Sequence, residues 1–154
     1  MGFLTSSELR TMAQANPGSY WYIFGEPNRY IDDNRILYMT GARFAPVFHY
    51  YATELTDADP TAKILSPSVL NWDFKCLGCG GYTFGNVWAA EFIAAYETKY
   101  GLAPPVDVWT IDAYPIDWNN TPNNDPNQRA WYASKSNLFL HSAIAVEQLV
   151  TMRQ

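Results

Sequence analysis

The chain has 154 residues, 48% of them hydrophobic and 16% charged. That is enough for a single globular domain, residues 1–154, with its own core, and too little charge for a disordered segment or a solvated coiled coil. Its net charge is −5 with no run of Lys or Arg, so neither nucleic acid nor an anionic membrane surface is an expected partner. No apolar stretch reaches the roughly 18–20 residues of a membrane span, and the opening segment MGFLTSSELR lacks the basic-then-apolar order of a signal peptide.

Residues 6–15 read as a helix capped by Thr5 or Ser6. After the turn signal Asn16-Pro17-Gly18, the run YWYIF at 20–24 reads as a short strand. Residues 42–55 place Phe44, Val47, Phe48 and Tyr51 at the i, i+3, i+4, i+7 spacing of a half-buried helix, with Pro46 expected in its first turn. The turn Asp57-Ala58-Asp59-Pro60 precedes a second strand, AKIL at 62–65. Residues 87–100 repeat the helical pattern through Trp88, Phe92 and Tyr96, with Gly101 as C-cap. Pro104-Pro105 leads into a third strand, VDVWTI at 106–111, and a last helix is expected at 128–152 with Leu138, Ile144, Ala145 and Leu149 on one side. His49 and His141 both fall inside helices and read as structural.

The alternation of helix and strand predicts an α/β protein whose parallel sheet is built from βα repeats. The strands do not alternate cleanly between apolar and polar, which suits parallel strands covered on both faces. Cys76 and Cys79, in KCLGCGG, read as a short disulfide or a thiol pair in a Gly-rich loop. A zinc site would need two more soft ligands, and the chain has only two histidines, so no metal and no cofactor is expected.

The most specific chemical signal follows the first strand: Phe24-Gly25-Glu26-Pro27-Asn28. It puts a carboxylate at the C-terminal end of a parallel strand, where barrel enzymes place catalytic groups. The stretch WYIFGEPNRY resembles the fourth-strand motif of clan A (β/α)8-barrel glycoside hydrolases, in which Asn-Glu-Pro ends a strand and its Glu is the acid/base. DPTAKILSPSVLNWDF is similar to the fifth strand and its loop in bacterial members of that clan. PPVDVWTIDAYPIDW is similar to their sixth strand, often Asp-x-Trp-x-x-His-x-Tyr. The three motifs run in the clan's order and span residues 21–118.

The resemblance implies a partial TIM barrel of about three βα units. It also implies cleavage of O-glycosidic bonds in β-linked polysaccharide or oligosaccharide, with Glu26 as general acid/base and carbohydrate as substrate. Its strands match the clan's fourth to sixth, which leaves the seventh-strand glutamate nucleophile without a counterpart. Two positions depart from the pattern: Gly25 stands where the clan has Asn, and Asp112 where it has the sixth-strand His. Asp112 is therefore the candidate second carboxylate, in the wider spacing of about 6.5–9.5 Å that an inverting mechanism tolerates.

Candidate sugar contacts follow each strand: Asn28 after the first, Trp72 and Asp73 after the second, and Tyr114, Asp117 and Trp118 after the third. Aromatic rings offer flat faces to a pyranose, and each of these residues also has a structural reading as a turn or packing residue. Trp109, inside the third strand, reads as core. Three strands alone would leave both sheet edges open, so further copies of this chain are expected partners, a state that light scattering reads directly. Two other functions stay open: a non-catalytic carbohydrate-binding remnant of a barrel enzyme, and a small α/β scaffold with a CxxC redox or metal site. The resemblance implies an extracellular setting, and Asn119-Asn120-Thr121 fits the N-glycosylation acceptor pattern.

Overall fold

A computed structural model of the chain describes residues 4–30, 39–114, 116–117, 119–120, 123–127 and 129–130. The expected helix at 128–152, together with His141 and Trp118, lies outside the described residues. The observed order is α1 (Ser6–Ala15), β1 (Tyr20–Tyr22), β2 (Arg29–Tyr30), α2 (Gly41–Ala58), β3 (Lys63–Leu65), β4 (Val69–Leu70) and β5 (Gly81–Tyr82). α3 (Gly85–Tyr100), β6 (Ile111–Asp112), β7 (Ile116–Asp117) and β8 (Asn123–Asn124) follow. The protein is α/β.

Thr5 caps α1 with a capping box: its hydroxyl accepts the Glu8 amide, while the Glu8 carboxylate accepts the Thr5 amide at 2.8 Å. α2 is capped by the Thr40 hydroxyl, which accepts the Arg43 amide. Pro46 is the sixth residue of α2, past the first turn where the sequence pattern placed it. There its missing N–H removes one helical hydrogen bond, a cost that the buried neighbours Phe44, Ala45 and Phe48 offset by packing. α3 ends at Gly101, whose φ of 72° is the left-handed conformation that stops a helix.

Three parallel segments lie side by side, as two two-stranded sheets joined by isolated bridges. β1 pairs with β3 in the register Tyr20–Lys63, Trp21–Ile64 and Tyr22–Leu65, and a bridge between Gly25 and Ser68 continues the pairing. A bridge between Leu65 and Val108 begins the third segment, and β4 pairs with β6 through Val69–Ile111 and Leu70–Asp112. The third strand therefore sits later than the expected 106–111. At its start Asp107 donates its amide to the Ile64 carbonyl at 2.8 Å while its carboxylate accepts the Ile64 amide at 2.8 Å and pairs with Lys63 Nζ at 3.2 Å.

The core lies between α2, α3 and one face of the sheet. Phe44, Phe48, Trp88, Phe92 and Tyr96 are all buried, with Phe48 edge-on to Phe92 at 5.2 Å and Trp88 stacked on Phe92 at 5.6 Å. The Trp88 indole N–H donates to the Met39 carbonyl at 2.7 Å, so this large ring is buried with its polar atom satisfied. His49 is held inside the same packing by Tyr96, 2.8 Å from its Nδ1, and by a stacked Tyr100 ring. The opposite face of β1 is open. Tyr20 is 67% exposed and Tyr22 52%, so among the described residues this strand is covered on one face, not on both as expected.

Asp59 ties two turns to the end of α2. Its carboxylate accepts the Gly18 amide at 2.7 Å, the Thr61 amide at 2.9 Å and the Thr61 hydroxyl at 2.6 Å. The Thr61 hydroxyl and then the Gly18 amide hold its pKa below the ordinary aspartate value. A depressed folded pKa means a contribution to stability that is present above the unfolded value of about 4 and is lost as pH falls through the folded value. Asp59→Asn should therefore lower the Tm at neutral pH and make the wild-type loss of Tm between about pH 5 and about pH 2 shallower. Thermal melts across that range check it, and parallel curves for the two proteins would contradict the assignment.

Candidate functional site

The site forms where the three parallel segments end. Glu26 follows the bridge at Gly25 and sits at φ 47°, a conformation that costs a non-glycine residue energy and that the surroundings must hold. Two backbone bonds hold it: its amide donates to the Ser68 carbonyl at 2.7 Å, and its carbonyl accepts the Arg29 amide at 3.1 Å. The carboxylate, half-buried, pairs with the Arg29 guanidinium at 3.1 Å. Asp112 closes β6 and is also half-buried, with its Oδ1 accepting the Ser68 hydroxyl at 2.7 Å.

The charges of both carboxylates act on two phenols. Partial burial raises the Tyr22 pKa, and the charges of Asp112 and Glu26 add to the rise. Tyr114 is raised in the same way, by burial, then Glu26, then Asp112, with Arg29 opposing. An electrostatic cluster of Glu26, Asp112, Tyr22, Tyr114 and Arg29 therefore occupies one end of the sheet. Chemically it offers two carboxylates for proton transfer, two hydroxyl donors and one fixed cation. Neither Tyr22 nor Ser68 was singled out by the sequence pattern. Tyr22 carried a faint signal, since it lies four residues before Glu26 and alternate strand residues share a face. Ser68 carried none.

The remaining expected contacts separate into groups. Asn28 is fully buried, and its side chain is spent on backbone: Nδ2 donates to the carbonyls of Leu70 at 3.0 Å and Thr83 at 2.6 Å, while Oδ1 accepts the Leu70 amide at 2.8 Å. It is a brace between the loop after β1 and the end of β4, not a side chain offered to a ligand. Trp72 is half-buried and packs on the main core. Trp109 is half-buried against the same core. Asp73 is exposed on the loop after β4. Asp117 lies on β7 and organises its own turn, accepting the Asn119 amide at 2.9 Å and the Asn120 side chain at 2.7 Å.

Cys76 and Cys79 form a disulfide, and both are buried beside Leu70 and Tyr82. The Tyr82 hydroxyl accepts the Cys76 amide at 2.7 Å and donates to the Phe74 carbonyl at 3.2 Å, closing the loop on itself. Among the described residues no three His, Cys, Asp or Glu side chains gather as a metal site, and no helix is long and apolar enough to cross a membrane.

With this geometry in hand, comparison with solved structures finds a neighbour: the crystal structure of a GH128 (subgroup II) endo-β-1,3-glucanase from Pseudomonas viridiflava. The TM-score is 0.54 at 23% sequence identity. The likeness shows the fold. It is partial, for the match covers 70% of this chain and 38% of the neighbour. No protein-family model matches the chain, and no curated protein matches it.

Proposed function

We propose that this protein is a glycoside hydrolase-like protein that cleaves O-glycosidic bonds of a β-linked glucan or related polysaccharide. The observation that carries the reading is the pair of carboxylates, Glu26 and Asp112, at the C-terminal ends of parallel strands on either side of Ser68, whose carbonyl accepts the Glu26 amide and whose hydroxyl donates to Asp112. The glucanase neighbour supports a carbohydrate as the substrate class. In the same proposal the three parallel segments and their helices correspond to three βα units of a (β/α)8 barrel.

Glu26 gives its proton to the glycosidic oxygen as the bond to the anomeric carbon breaks. Asp112 takes a proton from the water that attacks that carbon, and the product leaves with the water's hydroxyl. Arg29 and the two tyrosines supply hydrogen bonds to the sugar around the reacting centre. Asp73 and the exposed edge of Tyr114 extend the surface along which a chain of sugars lies.

Hydrolysis of a panel of β-1,3-, β-1,4- and mixed-linkage glucans, read as reducing ends released, tests the proposal. Wild type should turn over at least one of them, and Glu26→Gln should lower kcat by about 100-fold or more while leaving binding within a few fold. Binding by both forms with turnover by neither favours the sugar-binding reading and removes the enzyme.

A further inference from the structure

α3 starts on a side chain that cannot cap it. Thr5 and Thr40 cap α1 and α2 with their hydroxyls, but the residue before α3 is Phe84, whose side chain makes no capping bond. The first amides of α3 find their partners elsewhere. The Gly85 amide donates to the Asn71 carbonyl at 3.1 Å and the Asn86 amide to the Trp72 carbonyl at 3.2 Å. The Val87 amide donates to the Asn86 side chain at 2.8 Å. These bonds satisfy groups that a helix start otherwise leaves open, so position 84 is released from capping.

The released position carries a large apolar ring, 40% exposed. Its backbone is fixed on both sides to the strand ends of the candidate site. Before it, the Thr83 amide donates to the Asn28 carbonyl at 2.9 Å and the Thr83 carbonyl accepts Asn28 Nδ2 at 2.6 Å, two residues along from Glu26. After it, Gly85 is bonded to Asn71. The Asn71 amide donates to the Asp112 carbonyl at 2.9 Å, and its Oδ1 accepts the Tyr114 amide at 3.3 Å. The Phe84 ring meets Tyr82 edge-to-face at 5.9 Å, and the Tyr82 hydroxyl is bonded into the disulfide loop. An exposed ring held this firmly loses little freedom when a flat apolar partner covers it.

We propose that Phe84 is a sugar-stacking residue, its exposed ring covering the apolar face of one glucose unit in a β-glucan that lies across Glu26 and Asp112. The inference rests on the glucan reading above and adds a residue that sets affinity. β-Linked glucose suits such a ring, because its hydroxyls are equatorial and its axial C–H bonds leave both faces apolar. Tyr114, 37% exposed and tied to the same Asn71, stands on the neighbouring strand end.

The test is calorimetric titration of the intact protein with oligosaccharides of β-1,3-linked and of β-1,4-linked glucose. Phe84→Ala should raise the Kd for the oligosaccharide that wild type binds by about 10-fold or more, the loss expected when a ring's buried apolar face is removed. Phe84→Leu, which keeps an apolar side chain without the flat face, should bind as poorly as Phe84→Ala, and Phe84→Tyr should restore the affinity. The Tm of all three should stay within about 2–4 °C of wild type, because the ring is partly exposed and caps nothing. An unchanged Kd in Phe84→Ala, full affinity in Phe84→Leu, or no oligosaccharide binding by wild type overturns the proposal. A lower affinity in Phe84→Tyr, matched by a large loss of Tm, assigns the ring to packing and overturns it as well. Glucan hydrolysis with an unchanged Kd in Phe84→Ala removes the stacking residue and keeps the hydrolase; ring-dependent binding without hydrolysis does the reverse.

Discussion

Asn28→Ala is expected to destabilise the fold by about 3 kcal/mol or more, which for a chain of this length lowers the Tm by roughly 6–12 °C. The buried amide makes three hydrogen bonds, to the Leu70 carbonyl, the Leu70 amide and the Thr83 carbonyl. Alanine leaves all three backbone groups without that partner, at a cost of about 1–3 kcal/mol for each that water cannot reach. The site should suffer as well, because the Asn28 backbone accepts the Thr83 amide at 2.9 Å and Glu26 is two residues away. Asn28→Asp separates shape from hydrogen bonding. It keeps an acceptor for the Leu70 amide but turns a carboxylate oxygen toward two carbonyls. Protonation relieves that repulsion, so the folded-state pKa of the new aspartate lies above its unfolded value. Its stability should rise as pH falls, opposite to the trend that Asp59 gives the wild type. Thermal melts of both variants at neutral and acid pH check this. An Asn28→Ala protein as stable as wild type would show that the amide is not a brace.

The helices were legible because their apolar periodicity survives in the packing. Phe44 and Phe48 on α2, and Trp88, Phe92 and Tyr96 on α3, are the residues that the two helices bury against each other. The strands were less so. Ser66-Pro67-Ser68 carries the composition of a loop, yet both serines are buried and the chain continues through them into Val69–Leu70. The serines satisfy ladder positions with side chains as well as backbone, as when Ser66 Oγ accepts the Thr110 amide at 2.8 Å. That exchange leaves no hydrophobic period to read. Within the candidate site, Glu26 drew notice in the sequence as a carboxylate at a strand's end, and Asp112 as the residue standing where the resembling clan has His. Asn28 was harder to place: an asparagine two residues after Glu26 and next to a proline reads as a sugar contact or a turn residue, and only long-range bonds to Leu70 and Thr83 show it buried.

The helix starts hide the second large effect. Sequence pattern begins the helices at 42 and 87, while the structure begins them at Gly41 and Gly85, because glycine is a poor helix former and reads as a boundary. Both glycines are there for closeness. A Cβ on Gly41 would strike the backbone of α3, 2.7 Å from the Trp88 carbonyl and against the Phe92 amide. A Cβ on Gly85 would strike the Asn71 carbonyl and come within 2.6 Å of a Val69 methyl. Alanine would favour the helix by up to about 1 kcal/mol. The obstacle in each case is backbone, which cannot swing aside, so overpacking of about 1–3 kcal/mol or more outweighs that gain. Gly41→Ala and Gly85→Ala should both lower the Tm, while Val87→Ala, at a 56% exposed position of α3, should leave it nearly unchanged. The two glycines should differ in their reach. Asn71 donates its amide to the Asp112 carbonyl at 2.9 Å and accepts the Tyr114 amide at 3.3 Å. Pushing Asn71 from the side of Gly85 therefore disturbs the strand end that carries Asp112 and Tyr114, whereas Gly41 opposes only helix on helix. Amide NMR shifts at Asp112 and Tyr114 should move in Gly85→Ala and stay in place in Gly41→Ala. Equal shifts in both would mean that the site responds to core packing as a whole, not to the helix that abuts its strand.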